Sequence, residues 1–136
     1  MVVADRDALL EALHAETGDA LRVVATYDRE GYDAFHVRDD AAVRVSDRAD
    51  AVHEELVLQG IGRDYLEDRF GAGDLQCSMH RFDEITAFHF AAAEYTGLFV
   101  SVDSETDVPL ATFSETCKRY MDDDVSEQSD SNRESR

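Results

Sequence analysis

Residues 75–91 read LQCSMHRF, DE, ITAFHFA, so that two runs of strand-forming residues are separated only by Asp83 and Glu84. Alternating apolar and polar side chains rich in aromatic residues are typical of β-strands, and a two-residue connection between such runs predicts an antiparallel hairpin. Pairing about this turn places Cys77, Met79, Phe88 and Phe90 on one face, and Ser78, His80, Phe82, Ile85 and His89 on the other. Both faces carry apolar residues, and we therefore expect helices on both sides.

Three further runs have the character of strands. Leu21 to Tyr27 and Tyr32 to Arg38 flank the turn-forming sequence DREG at 28–31 and predict a second hairpin. Leu98 to Asp103 adds a fifth strand. In the 21–38 hairpin the expected faces are Leu21, Val23, Tyr27, Tyr32 and His36 on one side, and Val24, Phe35 and Val37 on the other.

Helical spacing of apolar residues predicts a helix before, between and after the two groups of strands. The first begins at the N-cap Asp5 and ends at Gly18. The second is capped by Ser46 or Asp47, breaks around residues 58–62 and ends at 71–73. The third opens at the Asp-Val-Pro boundary of 107–109. The residues expected to face inward are Leu9, Leu10 and Leu13 in the first helix and Ala49, Val52, Leu56 and Val57 in the second. In the third helix they are Leu110, Phe113, Cys117, Tyr120 and Met121.

The element order is therefore α-ββ-α-βββ-α, which predicts an α+β fold with a five-stranded antiparallel sheet and helices on both faces. Residues 1–121 are expected to form a single globular domain. Residues 122–136 are acidic and serine-rich with almost nothing apolar, and predict a disordered tail. The order of elements resembles that of roadblock and profilin-like domains, in which the two terminal helices lie on one side of the sheet and the middle helix lies on the other.

Several short segments carry a second resemblance. They are YDREGY at 27–32, VRDD at 37–40, GIGRDYLED at 60–68, GDL at 73–75, FHF at 88–90 and GLFVSVD at 97–103. In these segments the chain resembles a group of small acidic proteins of unknown function from halophilic archaea. The resemblance implies family membership, and it implies no activity, cofactor or catalytic residue.

The charge of the chain is strongly one-sided. Its 31 acidic and 13 basic residues give a net charge of -18 over 136 residues. Such self-repulsion favours a strongly screening solvent, since the Debye length falls to about 3 Å at about 1 M salt. We therefore expect a protein of a halophilic archaeal cytoplasm. No apolar run approaches the ~18 residues of a membrane span, and the chain starts without a signal-peptide pattern, so a membrane is not an expected partner. The arginines form no basic stripe, so nucleic acid is not an expected partner either.

The histidines are the candidates for chemistry. His80 and His89 fall on one face of the 75–91 hairpin and would be two of the three or four ligands that zinc requires, but their neighbours on that face include no other ligand. His36 next to Asp39 and Asp40, and His53 beside Glu54 and Glu55, are possible acid/base pairs, although such neighbours arise by chance in so acidic a chain. The sequence therefore predicts no catalytic, metal or cofactor residue.

Three hypotheses about function follow. The favoured one is a non-enzymatic regulatory or adaptor module that associates with a protein partner or with itself as a homodimer, through an interaction face among Val52, Leu56, Val57, Tyr65 and Leu66. The alternative is a small-molecule-sensing domain with a pocket near His80, His89 and Phe90 in the 75–91 hairpin. A third hypothesis is an enzyme that uses a His/carboxylate pair.

Overall fold

A five-stranded antiparallel sheet forms the centre of the computed structural model, which describes residues 2–93 and 95–121. The elements are α1 (Arg6–Thr17), β1 (Leu21–Tyr27), β2 (Tyr32–Val37), α2 (Ala42–Ile61), α3 (Arg63–Phe70), β3 (Ser78–Arg81), β4 (Ile85–Ala93), β5 (Thr96–Asp103) and α4 (Leu110–Tyr120). The strands lie in the order β2-β1-β5-β4-β3, and every neighbouring pair is antiparallel. The predicted α+β class and sheet are confirmed. The predicted tail, 122–136, lies outside the described residues.

The larger core lies between the sheet and the terminal helices. Its fully buried residues are Val3 before α1, Leu9 and Leu13 of α1, Phe113 and Cys117 of α4, and Leu21, Val24, Phe88, Phe90, Leu98, Val100 and Val102 of the sheet. The Phe88 and Phe113 rings are 4.6 Å apart between centroids. Helix α1 begins as predicted, because the Asp5 side chain accepts a hydrogen bond from the Ala8 amide, and it ends at Gly18. Leu110, expected to face inward, is instead exposed at the start of α4.

Helix α2 covers the opposite face of the sheet with a much smaller cluster. Val23, Ala25 and Ala41 are its buried members. Tyr32, Ala34, Val37, Val45 and Phe99 pack around them and remain partly exposed. This side of the sheet is therefore less tightly packed than the side under α1 and α4. Although α2 is 20 residues long, none of the described helices is apolar enough over sufficient length to cross a membrane.

The start of α2 differs from the prediction. The helix begins at Ala42 after a 3₁₀ turn at Asp39–Ala41, four residues before the expected cap at Ser46. Ala41 is fully buried and Val45 packs beside it, so tertiary contacts with the sheet determine where the helix starts. The predicted interruption is confirmed, because Gly62 separates α2 from α3, and α3 ends at Gly71 in a left-handed conformation (φ 58°).

The faces of the first hairpin also differ from the prediction. The pairing of β1 with β5 shifts between Leu21 and Val23, and the pairing of β1 with β2 shifts between Val24 and Ala25. Each shift is a β-bulge, which interrupts the alternation of side chains. As a result Leu21 joins the core under α1 and α4, Val37 faces α2, and His36 lies edge-on to His14 of α1.

Arg38, which follows β2, holds the strand ends together. Its guanidinium donates to both carboxylate oxygens of Asp103 at 2.8 and 2.9 Å, to both of Asp40 at 2.6 and 3.0 Å, and to the Asp19 carbonyl at 2.8 Å. These hydrogen bonds lower the pKa of Asp103 and that of Asp40. A single side chain thus joins the end of β5, the entry to α2 and the turn before β1.

Candidate functional site

The β3–β4 hairpin presents one set of side chains to α2. Ser78 pairs with His89, Met79 with Phe88, His80 with Ala87 and Arg81 with Thr86. Because successive side chains of a strand point to opposite faces, His80, Ala87 and His89 face α2 whereas Phe88 enters the core under α1 and α4. The predicted faces of this hairpin are confirmed.

A long groove lies between α2 and this face of the sheet. Its main part has a volume of about 440 Å³ and an apolar wall made of Ala51, Val52 and Leu56 of α2 with Phe82, Ile85, Ala87 and Phe99 below. Arg48, Glu55, Gln59, His80 and His89 supply its polar groups. A recess of about 120 Å³ continues from it and shares Arg48, Val52, Ile85 and Phe99 with it. The two together are called the α2 groove, and its size is in the range of small-molecule sites.

Three side chains, Tyr27, His89 and Gln59, are joined by hydrogen bonds beside the α2 groove, and His89 and Gln59 line it. The His89 Nε2 lies 2.6 Å from the Tyr27 hydroxyl, and the His89 Nδ1 lies 2.9 Å from Gln59 Oε1. Burial lowers the pKa of His89 to about 4, so the ring is neutral near pH 7, and the nearby His80 adds to this effect. The neutral ring donates from Nδ1 to Gln59 and accepts at Nε2 from the Tyr27 hydroxyl, whose pKa is raised by burial.

The predicted pocket residues are only partly brought together. His80 and His89 both line the α2 groove. Phe90 does not line it, because it is the next residue along β4, points to the other face and is 1% exposed in the core under α1 and α4. Both ring nitrogens of His89 are already engaged by Tyr27 and Gln59. Across residues 2–93 and 95–121, no group of three or more His, Cys, Asp or Glu side chains is arranged to hold a metal ion.

The two His/carboxylate pairs do not form. His36 packs against His14, and burial is the main cause that lowers its pKa. Its neighbour Asp40 is bound by Arg38 instead. His53 donates from Nε2 to the Asp28 carbonyl at 2.6 Å, which ties α2 to the first hairpin rather than to a carboxylate.

The proposed interaction residues lie on several surfaces rather than one. Val52 and the buried Leu56 line the α2 groove, and Val57 lies on another side of α2, next to His53. Tyr65 and Leu66 of α3 are exposed. They belong to a larger set of exposed apolar side chains, defined here as the apolar patch: Leu58 and Ile61 of α2 with Tyr65, Leu66 and Phe70 of α3.

Exposed apolar side chains of the β3 region were missed by sequence reasoning. They are Met79 and Phe82, and they belong to LQCSMHRF at 75–82, a run of eight residues without Asp or Glu. The run LVLQGIGR at 56–63, at the end of α2, is also free of acidic residues. Gln59 and Arg63 of the second run adjoin residues 75–78 of the first. In a chain with 31 acidic residues, two runs of eight residues without Asp or Glu are unusual. These runs could have indicated an uncharged surface from the sequence alone.

The comparisons with known proteins concern the family and the fold. A family profile described as "Domain of unknown function (DUF7522)" matches residues 7–122. No curated protein matches the chain. Among solved structures the chain is similar to a Roadblock/LC7 domain from Streptomyces avermitilis, with 21% identity, coverage of 86% of this chain and 92% of that chain, and a TM-score of 0.54. The predicted resemblance to the roadblock topology is confirmed.

Two other solved structures are more distant. One is MglB with a tetrameric arrangement, with 20% identity, coverage of 88% of each chain and a TM-score of 0.46. The other is the gliding protein MglB from Thermus thermophilus, with 20% identity, coverage of 88% of this chain and 89% of that chain, and a TM-score of 0.44.

Proposed function

Because the chain belongs to the DUF7522 family of domains of unknown function, we propose its role from its own surface: it is a non-enzymatic regulatory or adaptor module that acts by protein-protein association. The observation that carries this proposal is the number of large apolar side chains that are exposed at the end of α2, on α3 and at β3. Phe70 is 78% exposed, Tyr65 61% and Leu58 57%. Large apolar side chains that remain exposed on a highly charged protein are typical of interaction sites.

The proposed setting is the cytoplasm of a halophilic archaeon. The net charge of -18 supports it, since such a chain is least strained where salt screens its surface. Screening also allows two copies of a highly acidic protein to approach one another.

We infer that the partner is a second copy of this chain. Among residues 2–93 and 95–121, strand β3 lies at the edge of the sheet and only β4 pairs with it, so the other side of its backbone is available to a further strand. Two copies of Ser78–Arg81 in antiparallel register would place Ser78 opposite Arg81 and Met79 opposite His80, with no pair of like charges face to face. The absence of acidic residues from 75–82 removes the repulsion that other surfaces of the chain would cause.

Sedimentation equilibrium in about 2 M KCl, where surface charges are screened, tests this proposal. We expect a dimer for the unchanged protein. Met79→Glu in β3 and Ile61→Glu in the apolar patch introduce a carboxylate at exposed positions and should shift the protein to monomer. Leu110→Glu is the matched control, because Leu110 is a similarly exposed apolar residue on α4, and it should leave the dimer intact.

A strictly monomeric protein would contradict self-association. A dimer that both Met79→Glu and Ile61→Glu leave unchanged would contradict the proposed surface. Circular dichroism of each variant separates loss of association from loss of folding.

A further inference from the structure

The main part of the α2 groove is a gap in the packing between α2 and the sheet. Of the 20 residues of α2, only Leu56 is buried. Protein interiors are normally close-packed, so a space of about 440 Å³ between a helix and a sheet indicates side chains that are too small to fill it. Ala51 of α2 and Ala87 of β4 are such side chains, and both line the groove.

The wall of this gap is apolar and partly aromatic. Phe82 of the β3–β4 turn and Phe99 of β5 line it, together with the aliphatic side chains of Val52 and Ile85. The Phe82 ring is 57% exposed and stacks on that of His80, with centroids 6.5 Å apart and 25° between the ring planes. An apolar molecule that binds here removes water from apolar surface, which is favourable. The rings of the wall favour a molecule that is itself aromatic, because aromatic pairs gain more than their buried area alone provides.

The polar groups of the groove favour an ion of neither sign. Arg48 and Glu55 line it from α2, two helical turns apart on one side of the helix, and their charges offset each other. His89 donates to Gln59, and Gln59 donates to Glu55 at 3.2 Å, so these groups are already hydrogen-bonded within the chain. An unpaired charge is costly to bury against an apolar wall, and the groove therefore suits an uncharged molecule.

The size of the groove suits a small molecule rather than a segment of protein. An α-helix is about 10–12 Å across with its side chains, so two turns of helix occupy roughly 900 Å³ or more, which exceeds the whole α2 groove. Residues 122–136 of this chain are acidic, with Val125 as their one apolar side chain, and do not match an apolar wall. We propose that the α2 groove binds a small uncharged aromatic molecule, whose rings lie between α2 and the sheet against Val52, Phe82 and Phe99. This proposal does not depend on self-association, because it uses the inner side of α2 rather than the apolar patch.

Fluorescence titration with 2-naphthol tests the proposal, because the chain contains no tryptophan whose emission would interfere. We expect a dissociation constant below about 1 mM for a probe of this size. Two matched probes measure the selectivity by competition: 2-naphthoate carries a negative charge, and decahydro-2-naphthol is uncharged but saturated. Each should bind at least about fivefold more weakly than 2-naphthol, because the first must bury a charge and the second has no aromatic face.

Two variants fill the groove. Ala87→Leu and Ala51→Phe should each weaken the binding of 2-naphthol at least about tenfold without lowering the melting temperature, because the added atoms enter unfilled space and filling a cavity is usually stabilising. Ala51 is exposed, so Ala51→Phe remains informative if Ala87→Leu does not fold. Ala111→Leu is the matched control, because Ala111 is exposed on α4, on the other face of the sheet, and this variant should bind like the unchanged protein.

The proposal is overturned if 2-naphthol does not bind up to about 1 mM, or if either competitor binds as tightly as 2-naphthol. It is also overturned if Ala51→Phe binds 2-naphthol like Ala111→Leu.

Self-association is tested separately. Met79→Glu, the variant expected to be monomeric, should bind 2-naphthol like the unchanged protein. If instead Ala51→Phe abolishes the dimer and 2-naphthol binds only to the monomeric Met79→Glu, a second copy covers the groove and the proposal is wrong.

Discussion

His89 shows how one buried polar residue constrains this fold. Its imidazole bridges Tyr27 of β1 and Gln59 of α2, so it connects three elements that are distant in sequence. The bridge requires a neutral ring, because a protonated Nε2 has no lone pair to accept the Tyr27 hydroxyl. Protonation of His89 therefore opposes the folded state.

The pH dependence of stability follows from this bridge. The pKa of His89 is about 4 in the folded protein, against an ordinary value of 6.5, so the unfolded chain binds more protons between these values. We expect the free energy of unfolding to have its highest value above about pH 6.5, where His89 is neutral in both states. It should fall by up to about 3 kcal/mol as the pH drops to about 4. Urea denaturation at a series of pH values measures it.

His89→Gln is the matched variant for this measurement. It should reduce the slope of stability against pH in that window, although His36, whose pKa is also lowered by burial, contributes a slope of the same sign. An unchanged slope in His89→Gln would show that the bridge does not control the titration.

The sequence predicted part of this arrangement at the level of residues. His80 and His89 could be placed on one face, because the turn at 83–84 fixes the register of the hairpin. The contact of His89 with Tyr27 could not be predicted, since it depends on β5 lying between β1 and β4. That the Ser101 hydroxyl has no hydrogen-bond partner among the described residues likewise depends on tertiary packing, which the strand pattern does not contain.

At the scale of elements, β5 passes close beneath Tyr27 and the end of β4. Gly97 of β5 makes this approach possible. A Cβ at this position would lie 2.6 Å from the Phe90 carbonyl oxygen and 2.6 Å from the Tyr27 hydroxyl. The carbonyl belongs to the sheet backbone and cannot move aside without disturbing the β4–β5 ladder. Glycine at this position therefore sets how closely three strands pack.

Gly97→Ala should destabilise the protein by about 1–3 kcal/mol, the usual cost of overpacking. Denaturant titration measures the change. Gly31→Ala in the β1–β2 turn is the control, because nothing lies within 4 Å of the added Cβ there, and it should change stability much less. Equal effects of the two substitutions would contradict the close approach at Gly97.

The sequence predicted elements well where a local signal defines them. Asp5 and Gly18 bounded α1, and Gly62 and Gly71 bounded α3. The start of α2 was missed, because no capping side chain marks the 3₁₀ turn before Ala42. The bulges in β1 and β2 were missed for a similar reason, since a bulge in an apolar strand leaves no distinctive residue.

At the scale of the whole molecule, the charge and the core have separate roles. The core under α1 and α4 is made of ordinary apolar side chains, so burial of apolar area provides the main stabilisation. The net charge of -18 opposes the compact state through repulsion among surface carboxylates. Stability should therefore depend on how strongly the solvent screens the surface.

We expect the free energy of unfolding at pH 7 to rise by roughly 2 kcal/mol between about 0.05 and 1 M KCl, a sizeable share of the ~5–15 kcal/mol typical of domains. Guanidinium adds salt of its own, so urea denaturation is the appropriate measurement. Repeating it near the isoelectric point of about 4.4 is the control, because repulsion is then minimal and the effect of KCl should shrink. If the free energy of unfolding rises equally at both pH values, the effect of KCl comes from strengthened apolar burial rather than from screening. If it does not change with KCl at pH 7, surface repulsion does not limit stability.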